Sequence, residues 1–250
     1  MINIKSKKAI ECMIETGKRL SEIYNKFENF NFTGKTTKEI DIFIFNFLEK
    51  NNLVSKAKDY KGFLGYSCIS LNNELVHGVP SEKKIISEND LLKIDICASY
   101  KGYCADMARM YTTNKENIVH KNFIEKSELF MKVAFLEIYE DNFLGNLGNA
   151  IKNEIEKNGF SLVKDFCGHG IGKNMHEDPE ILNWGEKNKG IKIKYGMAFA
   201  VEPMFCEKKS DLYIDKDGWT AITLDGGLAG HIEDTVIVGN NGPIITTRIN

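Results

Sequence analysis

The sequence predicts an α+β fold, and three observations carry that reading. Apolar residues recur three and four apart in four stretches, short apolar segments punctuated by Gly, Pro and Asn fill the rest, and the two patterns alternate in blocks. Two helices then strands, followed by two helices then strands, describe one domain over residues 1–250, built from two similar halves that meet near residue 115. No residue-level repeat accompanies that symmetry, and no linker rich in Pro, Gly or Ser divides the chain.

Ala9, Ile10, Met13, Ile14, Gly17, Leu20, Ile23 and Tyr24 form one buried face of a helix over roughly residues 4–27. Thr36 and Glu39 make a capping box ahead of Ile40, Ile42, Phe43, Phe45, Phe47 and Leu48, so a second helix starts near Thr37 and ends near Asn51-Asn52. Strands are expected at Ser67–Leu71, Leu91–Ala98 and Gly102–Thr112. Helical spacing returns between Asn117 and Glu140 and between Leu147 and Asn158, with Gly159 as the stop. The remaining strand-like segments are 160–167, 196–206, 219–224, 230–238 and 244–247.

Composition limits the function classes. With 250 residues, 42% hydrophobic and 27% charged, the chain can bury a core without disulfides or structural metals. Lys plus Arg is 33 and Asp plus Glu is 35, a balance that argues against holding a nucleic-acid backbone by bulk charge. The six cysteines form no Cys-x-x-Cys, which removes zinc-ribbon and thioredoxin readings and suits reduced thiols. Neither a signal peptide nor a run of about eighteen apolar residues is visible, so a cytoplasmic protein is expected.

Acidic residues sit where a sheet should be apolar. A turn centred on Tyr100-Lys101 would set Asp95 directly opposite Asp106, about 4.5–5.5 Å apart at Cβ, and two such carboxylates repel unless a proton or cation lies between them. An isolated pair would ordinarily face solvent on an edge hairpin. Glu202 and Glu233, however, also lie in otherwise apolar strand-like segments, where an unpaired charge would cost several kcal/mol. His169 adds a nitrogen, with Gly168, Gly170 and Gly172 allowing close backbone approach and unusual φ angles around it. Two Asp, two Glu and one His make the ligand set of a two-metal hydrolytic site. His77 and His176, in turn-rich sequence, are candidate donors beside it.

These residues resemble the type I methionine aminopeptidases, a peptidase family of the pita-bread fold. The resemblance covers nearly the whole chain. It runs through Cys68-Ile69-Ser70-Leu71-Asn72, Val76-His77-Gly78-Val79-Pro80, Lys93-Ile94-Asp95 and Gly168-His169-Gly170-Ile171-Gly172. It continues through His176-Glu177-Asp178-Pro179, Val201-Glu202-Pro203-Met204, Asp217-Gly218-Trp219-Thr220 and Glu233-x-Thr235.

The resemblance implies a pseudo-twofold, curved antiparallel sheet covered by helices. It also implies two divalent ions (Co, Mn, Fe or Zn) held by Asp95, Asp106, His169, Glu202 and Glu233, with Asp106 and Glu233 bridging. The implied reaction removes the initiator methionine from nascent chains when the second residue is small. Glu202 would accept the proton, His176 would stabilise the oxyanion and His77 would contact the amide at the scissile nitrogen. Tyr60, Phe63, Cys68, Met175 and Trp219 match the methionine pocket, where aromatics and soft sulfur suit a thioether. The expected partners are N-terminal methionines of nascent polypeptides, with ribosome association open, no membrane, no sequence-specific nucleic acid and a monomeric chain.

One position departs from the pattern: Asp234 stands where the family usually has His, as in the Pro-directed peptidases of the same fold. An X-Pro aminopeptidase is therefore the alternative, although Val76-His77-Gly78-Val79-Pro80 and Asp217-Gly218-Trp219 look methionine-specific. A non-catalytic pita-bread binding protein is the other alternative, and such a protein should have lost ligands that are all present in this sequence.

Overall fold

The structure is a computed structural model that describes residues 2–248. Helix α1 (Lys7–Phe27) begins where the Ser6 hydroxyl accepts from the Ala9 N–H, later than its periodicity suggests. The residues before it stay extended because Lys5 is tied elsewhere: its N–H donates to the Gly196 carbonyl and its ammonium to Glu177 at 2.6 Å. Helix α2 (Thr37–Lys50) carries the expected capping box, with Glu39 N–H donating to Thr36 Oγ1 at 3.1 Å and Thr36 N–H to Glu39 Oε2 at 2.7 Å. A cap of this kind contributes about 1 kcal/mol. Helix α3 (Ile118–Leu136) is capped by Asn117, and α4 (Leu144–Lys157) stops at Asn158 and Gly159, whose φ of 82° only glycine adopts freely.

Nine strands form one antiparallel sheet among the described residues. Its path runs Val54–Ser55, Leu91–Tyr100, Tyr103–Thr112, Glu233–Gly239, Ala198–Val201, Gly168–Gly170, Glu177–Ile181; Cys68–Leu71 joins the second of these and Gly242–Ile245 the fourth. Alternation divides the central strands between core and cavity. Leu92, Ile94, Ile96 and Ala98 pack with Leu20, Ile44 and Leu48 of α1 and α2, while Asp95 and Cys97 line the cavity. Phe130, Leu147 and Ile151 of α3 and α4 pack on Phe199, Val201, Phe205 and Val236. Each large side chain so buried contributes roughly 1.5–3 kcal/mol.

The central hairpin corrects an expected register. The turn residues are Lys101 and Gly102, at φ 50° and 78°, and Tyr100 pairs with Tyr103. A two-residue hairpin turn of the primed kind needs positive φ at both positions, which is why Gly102 sits inside the turn rather than after it. Asp95 therefore opposes Ala108, Asp106 opposes Cys97, and the two aspartates are diagonal neighbours rather than direct partners. Because the displacement is even, both stay on one face.

Glu202 also differs from its expected placement inside a strand. The strand ends at Val201 and resumes as Met204–Cys206, because Pro203 has no N–H to give a ladder. Its partner breaks opposite, at Ile232, between Ala229–His231 and Glu233–Gly239. Beyond the break lies a small sheet of Ala229–His231, Met204–Cys206 and Ser161–Leu162. Two expected strands shrink, 160–167 to Ser161–Leu162 and 219–224 to Ala221–Thr223, and the last, 244–247, is a strand as far as Ile245 and then a 3-10 turn at Thr246–Arg248.

Candidate metal centre

All five expected ligands line one cavity of ≈ 620 Å³. Asp95 and Asp106 come from the central hairpin, Glu202 and Glu233 from the break between the two sheets, and His169 from the strand beside them. Donor atoms of Asp106, His169 and Glu233 all lie within 4.8 Å of one another. His169 Nε2 is 3.6 Å from Glu202 Oε1 and 4.0 Å from Asp106 Oδ2. The glycines beside His169 act through close approach alone: a Cβ on Gly168 would meet the Ala200 carbonyl and one on Gly170 the Asp178 carbonyl. The expected unusual φ is not found there, since neither glycine has positive φ.

The electrostatics are those of a site short of positive charge. Burial, and then the neighbouring Glu202 charge, push the Asp106 carboxyl up to about 7. Burial followed by Asp106 raises Asp95, burial raises Glu202, and burial followed by Asp106 raises Glu233, each well above the usual carboxylate range. Burial lowers His169 to about 4, which keeps its imidazole neutral. Asp106 Oδ1 and Glu233 Oε1 are buried with no hydrogen-bond partner among the described residues. Orphaned acceptors facing one another across a pocket fit a divalent cation, and the Asp, Glu and His donors suit a hard-to-borderline one.

The remaining expected residues form the walls. Tyr60, Phe63, Cys68, Met175 and Trp219 all line the cavity, with the Phe63 and Trp219 rings edge to face at 5.2 Å. His176 Nδ1 is 2.8 Å from the Tyr60 hydroxyl, and its ring centroid is 4.3 Å from that of His169. His77 lines the cavity at φ 58°, its ring edge to face with Phe166 at 5.4 Å, and burial lowers it to about 4.

Two residues of this neighbourhood escape the sequence reading. Cys97 lines the cavity, and its thiol acts on the Asp106 carboxyl against the upward push of burial. His231, 2% exposed, places Nε2 3.4 Å from Glu202 Oε2. The available signal was its position two residues before Glu233 in one strand-like segment.

Residues 10–240 match the profile of Metallopeptidase family M24. A methionine aminopeptidase of Clostridium acetobutylicum is 36% identical over 251 residues, 99% of both chains, and that of Escherichia coli is 31% identical over 249 residues, 99% of this chain and 94% of the relative. The chain belongs to the methionine aminopeptidases of family M24. Its fold is the pita-bread fold, superposing on the crystal structure of the methionine aminopeptidase from Thermotoga maritima with a TM-score of 0.96 at 31% identity, over 100% of both chains. The prolidase from Pyrococcus furiosus shares the fold less closely, with a TM-score of 0.74 at 25% identity; the match covers 99% of this chain and 66% of the prolidase. As a family member this chain is a metal-dependent hydrolase. The departure at Asp234 leaves the cavity untouched, because its carboxylate is taken by Arg109, Thr247 and Arg248.

Proposed function

We propose that this chain removes the N-terminal methionine of nascent polypeptides whose second residue is small, using two divalent ions drawn from Co, Mn, Fe and Zn. The observation that carries this reading is one cavity whose floor gathers Asp95, Asp106, His169, Glu202 and Glu233 and whose walls are aromatic and sulfur-bearing. When bound, the ions supply Lewis acidity that polarises a carbonyl and acidifies water. Asp95, Asp106, His169, Glu202 and Glu233 would hold them, Asp106 and Glu233 in the shared role that the resemblance implies.

The chain's own groups do the rest. Glu202, deep in the cavity, accepts the proton released as water attacks the first carbonyl. His176 steadies the oxyanion through Nε2: with the Tyr60 hydroxyl donating to Nδ1, the ring proton sits on Nε2 and points to substrate. His77, neutral at working pH, contacts the amide at the scissile nitrogen. Tyr60, Phe63, Cys68, Met175 and Trp219 enclose the methionine side chain, apolar surface against a polarisable thioether. The reading places the enzyme in the cytoplasm as a monomer, acting on chains leaving the ribosome; no helix among the described residues is long and apolar enough to cross a membrane.

The test is a peptide panel with the metal-loaded protein. Release of Met from Met-Ala-Ser, with Ala-Pro peptides left intact, is the expected result. The opposite preference would move the chain to the Pro-directed branch.

A further inference from the structure

Glu202 lies between two imidazoles, one facing each of its oxygens. His169 Nε2 stands 3.6 Å from Oε1, and His231 Nε2 stands 3.4 Å from Oε2. The second contact is not a hydrogen bond: His231 Nε2 is buried with no hydrogen-bond partner among the described residues. Glu233, whose Oε1 is likewise buried and unpartnered, belongs to the same group, since one donor atom each of Glu202, His231 and Glu233 lie within 4.8 Å of one another. Leaving a buried polar atom unsatisfied is costly, and here a ring nitrogen and carboxylate oxygens converge without satisfying one another. A shared cation resolves all of them at once.

Backbone placement makes the arrangement a property of the fold. Met204 pairs with His231 just beyond the break that presents Glu202 and Glu233, so the imidazole is held by the small sheet while the carboxylates come from its junction with the large one. We propose that His231 is an additional protein ligand of the metal centre, binding through Nε2 beside Glu202 and Glu233. This rests on the metal-centre reading above and extends its ligand set. A second imidazole shifts the site away from an oxygen-dominated set, favouring Fe, Co and Zn over Mn.

The full chain, stripped of metal and reloaded with two equivalents of cobalt(II), decides the matter by X-ray absorption, which counts imidazoles per pair of ions, and by calorimetric titration. Two imidazoles are expected in the wild type and one in His231→Gln, whose cobalt affinity should fall at least about tenfold at one site, more than its manganese affinity. One imidazole in the wild type, or cobalt affinities in folded His231→Gln within about twofold of wild type, would overturn the proposal. Should the variant fail to fold, the wild-type imidazole count alone decides. A wild type that binds no cobalt removes the metal-centre reading as well, whereas binding through a single imidazole removes only the role of His231.

Discussion

Arg109 and Asp234 form an ion pair, Nη2 to Oδ1 at 2.6 Å, around a carboxylate with no solvent exposure. The same carboxylate accepts from Thr247 Oγ1 at 2.6 Å and from Arg248 Nε at 2.7 Å, while Arg109 Nη1 also donates to the Glu233 carbonyl at 2.7 Å. Asp234 thus ties the chain's C-terminal turn to the strand that carries Glu233. It takes up a structural position beside the metal residues, which is why an acid here is compatible with the methionine branch. Removing one member of a buried charge cluster strands the others, so Asp234→Asn should lower unfolding free energy by about 3 kcal/mol. Urea denaturation measures this, and the preference for Met-Ala-Ser over Ala-Pro peptides should survive the substitution.

The crowded carboxylates predict an inverted pH dependence for the metal-free protein. Asp106 is raised to about 7, and Asp95, Glu202 and Glu233 are raised as well, so these carboxyls bind more protons in the folded state than in the unfolded one, while His77, His169 and His231, lowered to about 4, oppose them only below about pH 6.5. Above about pH 6.5, where the histidines are neutral in both states, stability therefore falls as pH rises through the raised carboxyls, the reverse of the behaviour of a salt-bridged acid. Melting temperatures of the chelated protein should be higher at about pH 6.5 than at about pH 8. Asp106→Asn should flatten the slope, and added divalent metal should abolish it by replacing the missing protons.

Helix capping was legible in the sequence because it is local: Thr36, Glu39 and Gly159 act within a few residues of themselves. The convergence of the five expected residues on one cavity was legible because each of the four acids puts a charge where its neighbours are apolar, and His169 sits among glycines beside them. Register was not, since choosing Lys101-Gly102 over Tyr100-Lys101 for the turn depends on backbone twist rather than on hydrophobic pattern. The break at Pro203 and Ile232 was hidden for a related reason, because apolar sequence continues through it. His231 was overlooked because its meaning depends on that break, which turns a strand residue toward Glu202. Asp234 reads in the sequence as a change of chemistry because Arg109 and Arg248, 125 and 14 residues away, hold its carboxylate only in the folded chain.

Asp106→Asn keeps the shape of the side chain and removes one of the converging carboxylate charges. Turnover of Met-Ala-Ser should fall by about 10³-fold or more, beyond the 10–100-fold loss typical of an outer partner of a metal ligand. Calorimetric titration should show weakened metal binding in parallel. Undiminished turnover in this variant would remove the bridging role.

Tyr60 and His176 separate positioning from pocket packing. The Tyr60 ring lines the cavity, whereas its hydroxyl lies 2.8 Å from His176 Nδ1, and donation along that contact would leave the ring proton on Nε2. His176→Ala removes an oxyanion donor outright and should cost about 10²–10³-fold in kcat. Tyr60→Phe preserves the apolar wall and loses only the orienting hydrogen bond, so kcat should drop by about tenfold, one hydrogen bond's worth, with KM nearly unchanged. Combining the two changes should add little to His176→Ala alone, because the hydroxyl acts through the imidazole. If Tyr60→Phe instead raises KM and leaves kcat intact, the hydroxyl belongs to substrate binding and the assigned proton position on His176 is wrong.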